Sequence, residues 1–127
     1  MNARNPWLVV AALSGLIAVV AGAHGAHGLD GPKNQVDGFN IGVQYHMWHS
    51  LALIGVAWLA EARKGMAAAR YANVSGWLFV AGIVFFSGSL YFYGITGNVP
   101  FSGSAPIGGY AQIGGWAVLA FAATRRN

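Results

Sequence analysis

Four long apolar runs, parted by short polar segments, make up the pattern of the chain. They cover residues 6–27, 41–62, 74–96 and 106–124. Each is close to the ~20 residues that a helix needs to cross a hydrocarbon core roughly 30 Å thick. The breaks hold residues that start or stop helices. Pro6 and Pro106 open the first and fourth runs, and Thr96, Gly97 and Pro100 close the third. Glu61, Arg63 and Lys64 end the second, and Arg125 and Arg126 end the fourth. Ala21-Gly22-Ala23 resembles a small-residue cleavage site, but the run before it exceeds an h-region of ~7–15 residues, so it is read as a retained helix.

Composition gives the pattern its solvent. Charged residues make up 8% of the 127, against roughly 25% in soluble chains, and residues 71–124 contain no Asp, Glu, Lys or Arg. No water-soluble domain of this size spares so much surface from charge. The 19 glycines would weaken soluble helices, whereas in lipid they let helices approach closely. The expected fold is an all-α integral membrane four-helix bundle, a single domain over residues 1–127. A net charge of +4 does not indicate nucleic acid, because the basic residues are scattered between apolar runs rather than aligned along a groove. Without cysteine there is no disulfide framework and no thiolate metal site.

Six of the seven basic residues fall on one side if the helices alternate: Arg4, then Arg63, Lys64 and Arg70, then Arg125 and Arg126. The positive-inside rule puts that side in the cytoplasm, so both termini are expected inside (N-in/C-in). Small residues form ridges: Ser14, Ala18, Gly22 and Ala26 at four-residue spacing, then Gly76, Gly82 and Gly88, then Gly108, Gly109, Gly114 and Gly115 around Gln112. Close packing within the bundle explains them, and they also leave surface for a homo-oligomer.

Polar residues inside the runs carry the candidate chemistry. By position, His24 and His27, Gln44, Tyr45, His46 and His49, and Ser87, Ser89, Tyr91 and Tyr93 belong to the outer half, while the inner half is almost wholly apolar. His46 and His49, Tyr45 and His49, and Ser87 and Tyr91 stand three or four residues apart, on shared helix faces. Three readings fit a cluster of His27, Tyr45, His46, His49, Ser87, Ser89 and Tyr91. It ties helices together by hydrogen bonds; it binds a small ligand or a lipid or quinone headgroup; or it holds a copper or zinc ion through His27, His46 and His49. A proton or solute path finds no polar relay through the inner half. The three carboxylates, Asp30, Asp37 and Glu61, form no Ser/His/Asp constellation, and Phe86-Ser87-Gly88-Ser89 lies within a helix rather than at a strand-to-helix turn. The expectation is a non-enzyme.

Four ordered motifs complete the reading: Gly25-Ala26-His27-Gly28-Leu29, Gln44-Tyr45-His46-Met47-Trp48-His49-Ser50-Leu51-Ala52-Leu53, Phe86-Ser87-Gly88-Ser89-Leu90-Tyr91, and Pro106-Ile107-Gly108-Gly109 with Gly115-Trp116. Together they resemble the family called domain of unknown function 423, small four-helix inner-membrane proteins that include eukaryotic transmembrane protein 256. His24 departs from the family pattern, which has Phe there. The resemblance implies a multi-pass protein of the bacterial plasma membrane (or the mitochondrial inner membrane for eukaryotic relatives) and supplies no activity. The rival to a ligand-binding protein is a non-catalytic accessory subunit of a larger membrane complex.

Overall fold

The computed structural model describes residues 4–127. Helix α1 spans Pro6–His27, α2 Lys33–Ala62, α3 Ala67–Gly82, α4 Gly88–Thr96 and α5 Ser104–Thr124. A π-helical turn, Ile83–Ser87, joins α3 to α4, so that they form one rod, and no strand occurs among the described residues. Two of the four rods, Pro6–His27 and Ala67–Thr96, are long and apolar enough to cross a membrane by length and composition. In α2, Gln44, Tyr45, His46, His49 and Ser50 dilute the apolar character; in α5, six glycine, glutamine and serine positions from Ser104 to Gly115 do so.

Local chemistry sets the ends. The Asn5 side chain accepts the Leu8 N–H at 3.2 Å and Pro6 occupies the first turn, where its missing N–H is no loss. Gly97 and Gly103, with φ of 78° and 86°, turn the chain between α4 and α5 in a conformation that favours glycine. Two helices begin earlier than their apolar runs. α2 starts at Lys33 rather than at 41, because residues 33–40 are polar enough to escape a hydropathy reading yet are helical, with a Lys33–Asp37 pair at 2.6 Å and Phe39 buried. α3 starts at Ala67 rather than at 74, where Ala68, Ala69 and Ala72 are buried.

α2 and the α3–α4 rod form the centre, with α1 packed on α2 and α5 packed on α3 and the π turn. Ala11, Ala52, Leu53, Val56 and Phe79 make the main core, and Leu59, Ala72 and Ala122 a second one nearer the chain's C-terminal end. α1 faces α2 through Ala11, Ala18 and Gly25, with Gly22 against Val43; Ala26 is exposed and lies outside the expected ridge. The closest approach joins α5 to the π turn. A Cβ on Gly108 would stand 2.2 Å from the Phe86 backbone nitrogen and 2.7 Å from the Phe85 carbonyl carbon. One end of the bundle gathers Arg4, Arg63, Lys64, Arg70, Arg125 and Arg126: Arg63 donates to the Arg125 carbonyl at 3.2 Å, and the Ala68 N–H to that of Asn127 at 2.9 Å.

Candidate functional site

His46 is buried in α2 and is the hub of a chain of hydrogen bonds. Its Nδ1 lies 2.7 Å from the Tyr91 hydroxyl and its Nε2 3.1 Å from the Ser14 hydroxyl. Ser14 lies 2.6 Å from Ser50, and Ser50 donates at 2.8 Å to the His46 carbonyl. Each proton position follows from the last. A carbonyl only accepts, so Ser50 gives its single proton there and must accept from Ser14. Ser14 therefore accepts from Nε2–H of a neutral His46, and Nδ1 accepts from Tyr91. The chain runs one way, from α4 through α2 to α1 and back to α2, with no donor or acceptor left over on the imidazole.

His49 forms a second, separate knot. The Trp116 Nε1–H donates to its Nε2 at 3.0 Å, so Nδ1 carries the proton and donates to the Tyr45 carbonyl at 2.6 Å. Tyr45 packs on Phe86 and Trp48. Ser87 donates to the Gly42 carbonyl at 2.8 Å, tying the π turn to α2. Ser89 turns the other way, onto the Phe85 carbonyl and to within 2.8 Å of Ser104 at the start of α5.

Of the expected cluster, His46 and Tyr91 share one hydrogen-bonded chain, His49 and the Tyr45 carbonyl a second, and Ser87 and Ser89 bond separately to the Gly42 carbonyl and to Ser104, but His27 joins none of them. It is exposed, and so is His24, whose ring meets Phe39 edge-on. Two causes act together. His27 is two residues from the buried Gly25, about 200° around the helix, and so faces away from α2. It also lies thirteen residues (27 minus 14) beyond Ser14, about 20 Å of rise. Because α2 begins at Lys33, the partners of this end of α1 are Phe39 and Asn40, and the four histidines do not share one layer. The structure therefore does not bring His27, His46 and His49 together. No group of three His, Asp or Glu able to hold an ion forms among the described residues, and both nitrogens of His46 and of His49 are already engaged.

The ordered motifs now have a structural counterpart, and the comparisons with known proteins agree with them. Residues 21–109 match the family described as "Protein of unknown function (DUF423)". The chain belongs to the DUF423 family. Over 77 residues it is 41% identical to the UPF0382 membrane protein YwdK of Bacillus subtilis (strain 168). That stretch is 59% of this chain and 60% of the relative, so the match spans about 60% of the length of the curated relative. No solved structure matches.

In this DUF423 protein the His49–Trp116 knot forms one wall of a cavity of about 370 Å³ between α2, the π turn and α5. Tyr45, Phe86, Gly109 and Gln112 complete it, and the exposed Trp48, Ile113 and Trp116 mark the side on which it opens. Gln112 is 4% exposed, and its Nε2 has no hydrogen-bond partner. A buried amide donor left unpaired costs about 1–3 kcal/mol, and few native groups bear that without a reason. The sequence pattern gives three of these residues no site role: Ser14 stands in a small-residue ridge, Trp116 closes a motif, and Gln112 is one polar residue among glycines. The signal available was Gln112 itself, the one carboxamide in a glycine-rich apolar run.

Proposed function

We propose that this protein spans the bacterial plasma membrane four times, with both termini in the cytoplasm, and binds the head of a neutral amphiphile in the cavity beside Gln112. The grouping of six basic residues at one end supports the orientation. The single observation that carries the binding reading is the buried, unpartnered Nε2 of Gln112, a residue that lines an otherwise apolar and aromatic cavity. Such a donor gives its hydrogen bond to a carbonyl oxygen, which a lipid ester and a quinone both present. The opening lies on a face rich in exposed apolar side chains, so the ligand would arrive from the bilayer rather than from water. The role is binding and not bond-making: His49, the histidine in the cavity wall, has both nitrogens committed to neutral partners. The imidazole knots then serve to hold the cavity wall rather than to coordinate an ion.

A second reading, an accessory subunit of a larger complex, draws on the outer face of α1, where Leu13, Leu16, Ile17, Val19 and Val20 are all exposed. The two are separable. Gly109 lines the cavity and has open space where a side chain would go, so Gly109→Leu should fill the cavity without disturbing the fold. Organic extracts of protein purified in mild detergent, analysed by mass spectrometry, should contain a stoichiometric carbonyl-bearing amphiphile for the wild type and at least tenfold less for Gly109→Leu. Equal recovery from both proteins, or none from the wild type, would reject the cavity as a binding site. Co-purification of a stoichiometric protein partner, unaffected by Gly109→Leu, would favour the accessory role.

A further inference from the structure

The basic end of the bundle carries a second site, independent of the Gln112 cavity. A cleft of about 680 Å³ opens there between the start of α1, the end of α2 and the start of α3. Arg4, Lys64 and Arg70 line it against a single carboxylate, Glu61. Lys64 and Arg70 make no ion pair among the described residues. The first residues of α1 and α3 line this space, and neither helix has an acidic residue in its first turn. Those partial positive charges add to Lys64 and Arg70. The cleft suits the oxyanion of a phosphate group.

Its floor extends the description of the ligand. Trp7 lies over Gly76, where a Cβ would come within 2.6 Å of the indole, and its Nε1–H donates to Asn73 at 2.8 Å. Trp7 and Asn73 belong both to the basic cleft and to an apolar groove of about 380 Å³ that runs on along Val10, Trp77 and Val80. The Trp7 and Trp77 rings meet edge-to-face at 5.3 Å and shape that groove. A free phosphate needs only the cleft. A molecule with an anionic head and a hydrocarbon tail uses both parts.

We propose that the cleft of Arg4, Lys64 and Arg70, continued by the Trp7–Trp77 groove, is a binding site for one anionic phospholipid, its phosphate in the cleft and an acyl chain along α1 and α3. This differs from diffuse attraction of basic residues to a charged leaflet, because it has one occupant and one tail path. Each basic side chain near an anionic membrane surface is worth roughly a factor of five in affinity, so removing two lowers it about 25–30-fold.

The test is native mass spectrometry of the full chain, delipidated in detergent. It is titrated with dioleoyl phosphatidylglycerol, with dioleoyl phosphatidylcholine, and with inorganic phosphate as competitor. The wild type should take up one phosphatidylglycerol at least tenfold more tightly than phosphatidylcholine. Lys64→Gln/Arg70→Gln should lose that preference, whereas Lys33→Gln, at the other end, should keep it, with helical circular dichroism unchanged in all three. Equal uptake of the two lipids, or wild-type preference in Lys64→Gln/Arg70→Gln, would overturn the site. Displacement of phosphatidylglycerol by millimolar inorganic phosphate would show that the cleft alone supplies the affinity, and would overturn the assignment to a lipid.

Discussion

His46 has three neighbours, Tyr91, Ser14 and Ser50, that fix its tautomer, and this makes a prediction at the scale of single residues. Tyr91 and Ser14 are joined only through opposite nitrogens of that ring. Removing either hydroxyl leaves a buried ring nitrogen unpaired, and each of Tyr91→Phe and Ser14→Ala should destabilise by about 1 kcal/mol. Since both act on one imidazole, the double variant should depart from additivity by about 0.5 kcal/mol or more, whereas unconnected sites add within roughly 0.3–0.5. Unfolding in mixed micelles with increasing dodecyl sulfate gives the four free energies. Trp116→Phe removes the donor to His49 and should cost a similar amount, about 1 kcal/mol by the same measurement. The polar residues that meet were largely legible in the sequence, because lipid and a closed core both force such groups inward, and His46, His49, Ser87 and Tyr91 had few other places to go. What could not be read was which nitrogen faced which hydroxyl. That depends on rotation and height to within a few ångströms, and His27, with the same side chain at a similar apparent depth, ended on the outer face.

Glycines set how closely the elements approach. Gly108 and Gly109 are neighbours in sequence and opposites in space: the first abuts the backbone of the π turn, and the second has nothing within 4 Å of where its Cβ would be. Gly108→Ala asks two backbones to separate and should destabilise by about 2–3 kcal/mol, while Gly109→Ala should be neutral or stabilise by up to about 1 kcal/mol through helix propensity. Thermal melting in detergent of the two single variants decides between this contrast and a uniform glycine effect. A small-residue ridge seen in the sequence states that something comes close, and not which glycine it meets. The helix limits were legible where proline, glycine or a charge stops the chain. They were missed at Lys33 and Ala67, where a polar or alanine-rich lead continues the helix beyond the apolar run.

At the scale of the whole molecule, α1 and α5 are flanking helices on a central pair, an arrangement that no hydropathy profile reports, because each run looks alike to a count of apolar residues. The gathering of basic residues at one end of the rods, by contrast, followed from alternation. With no cysteine in the chain, one introduced at Lys33 or at Lys64 is a unique label. In intact cells a membrane-impermeant maleimide should modify Lys33→Cys and spare Lys64→Cys. The reverse pattern would invert the proposed orientation.

The π turn between α3 and α4 has a consequence for the rod it interrupts. The Gly88 N–H reaches back five residues to Ile83, so one residue more than usual is wound into that turn, and everything after it is rotated by about 100°. Val84 points outward, 60% exposed, and contributes nothing to the interior. A chain shortened by that valine alone would have a more regular rod and a worse protein: Ser87 and Tyr91 would swing off α2, and Ser89 off α5, all at once. The apparent defect is the phase correction that lets a single rod address two neighbours on different bearings.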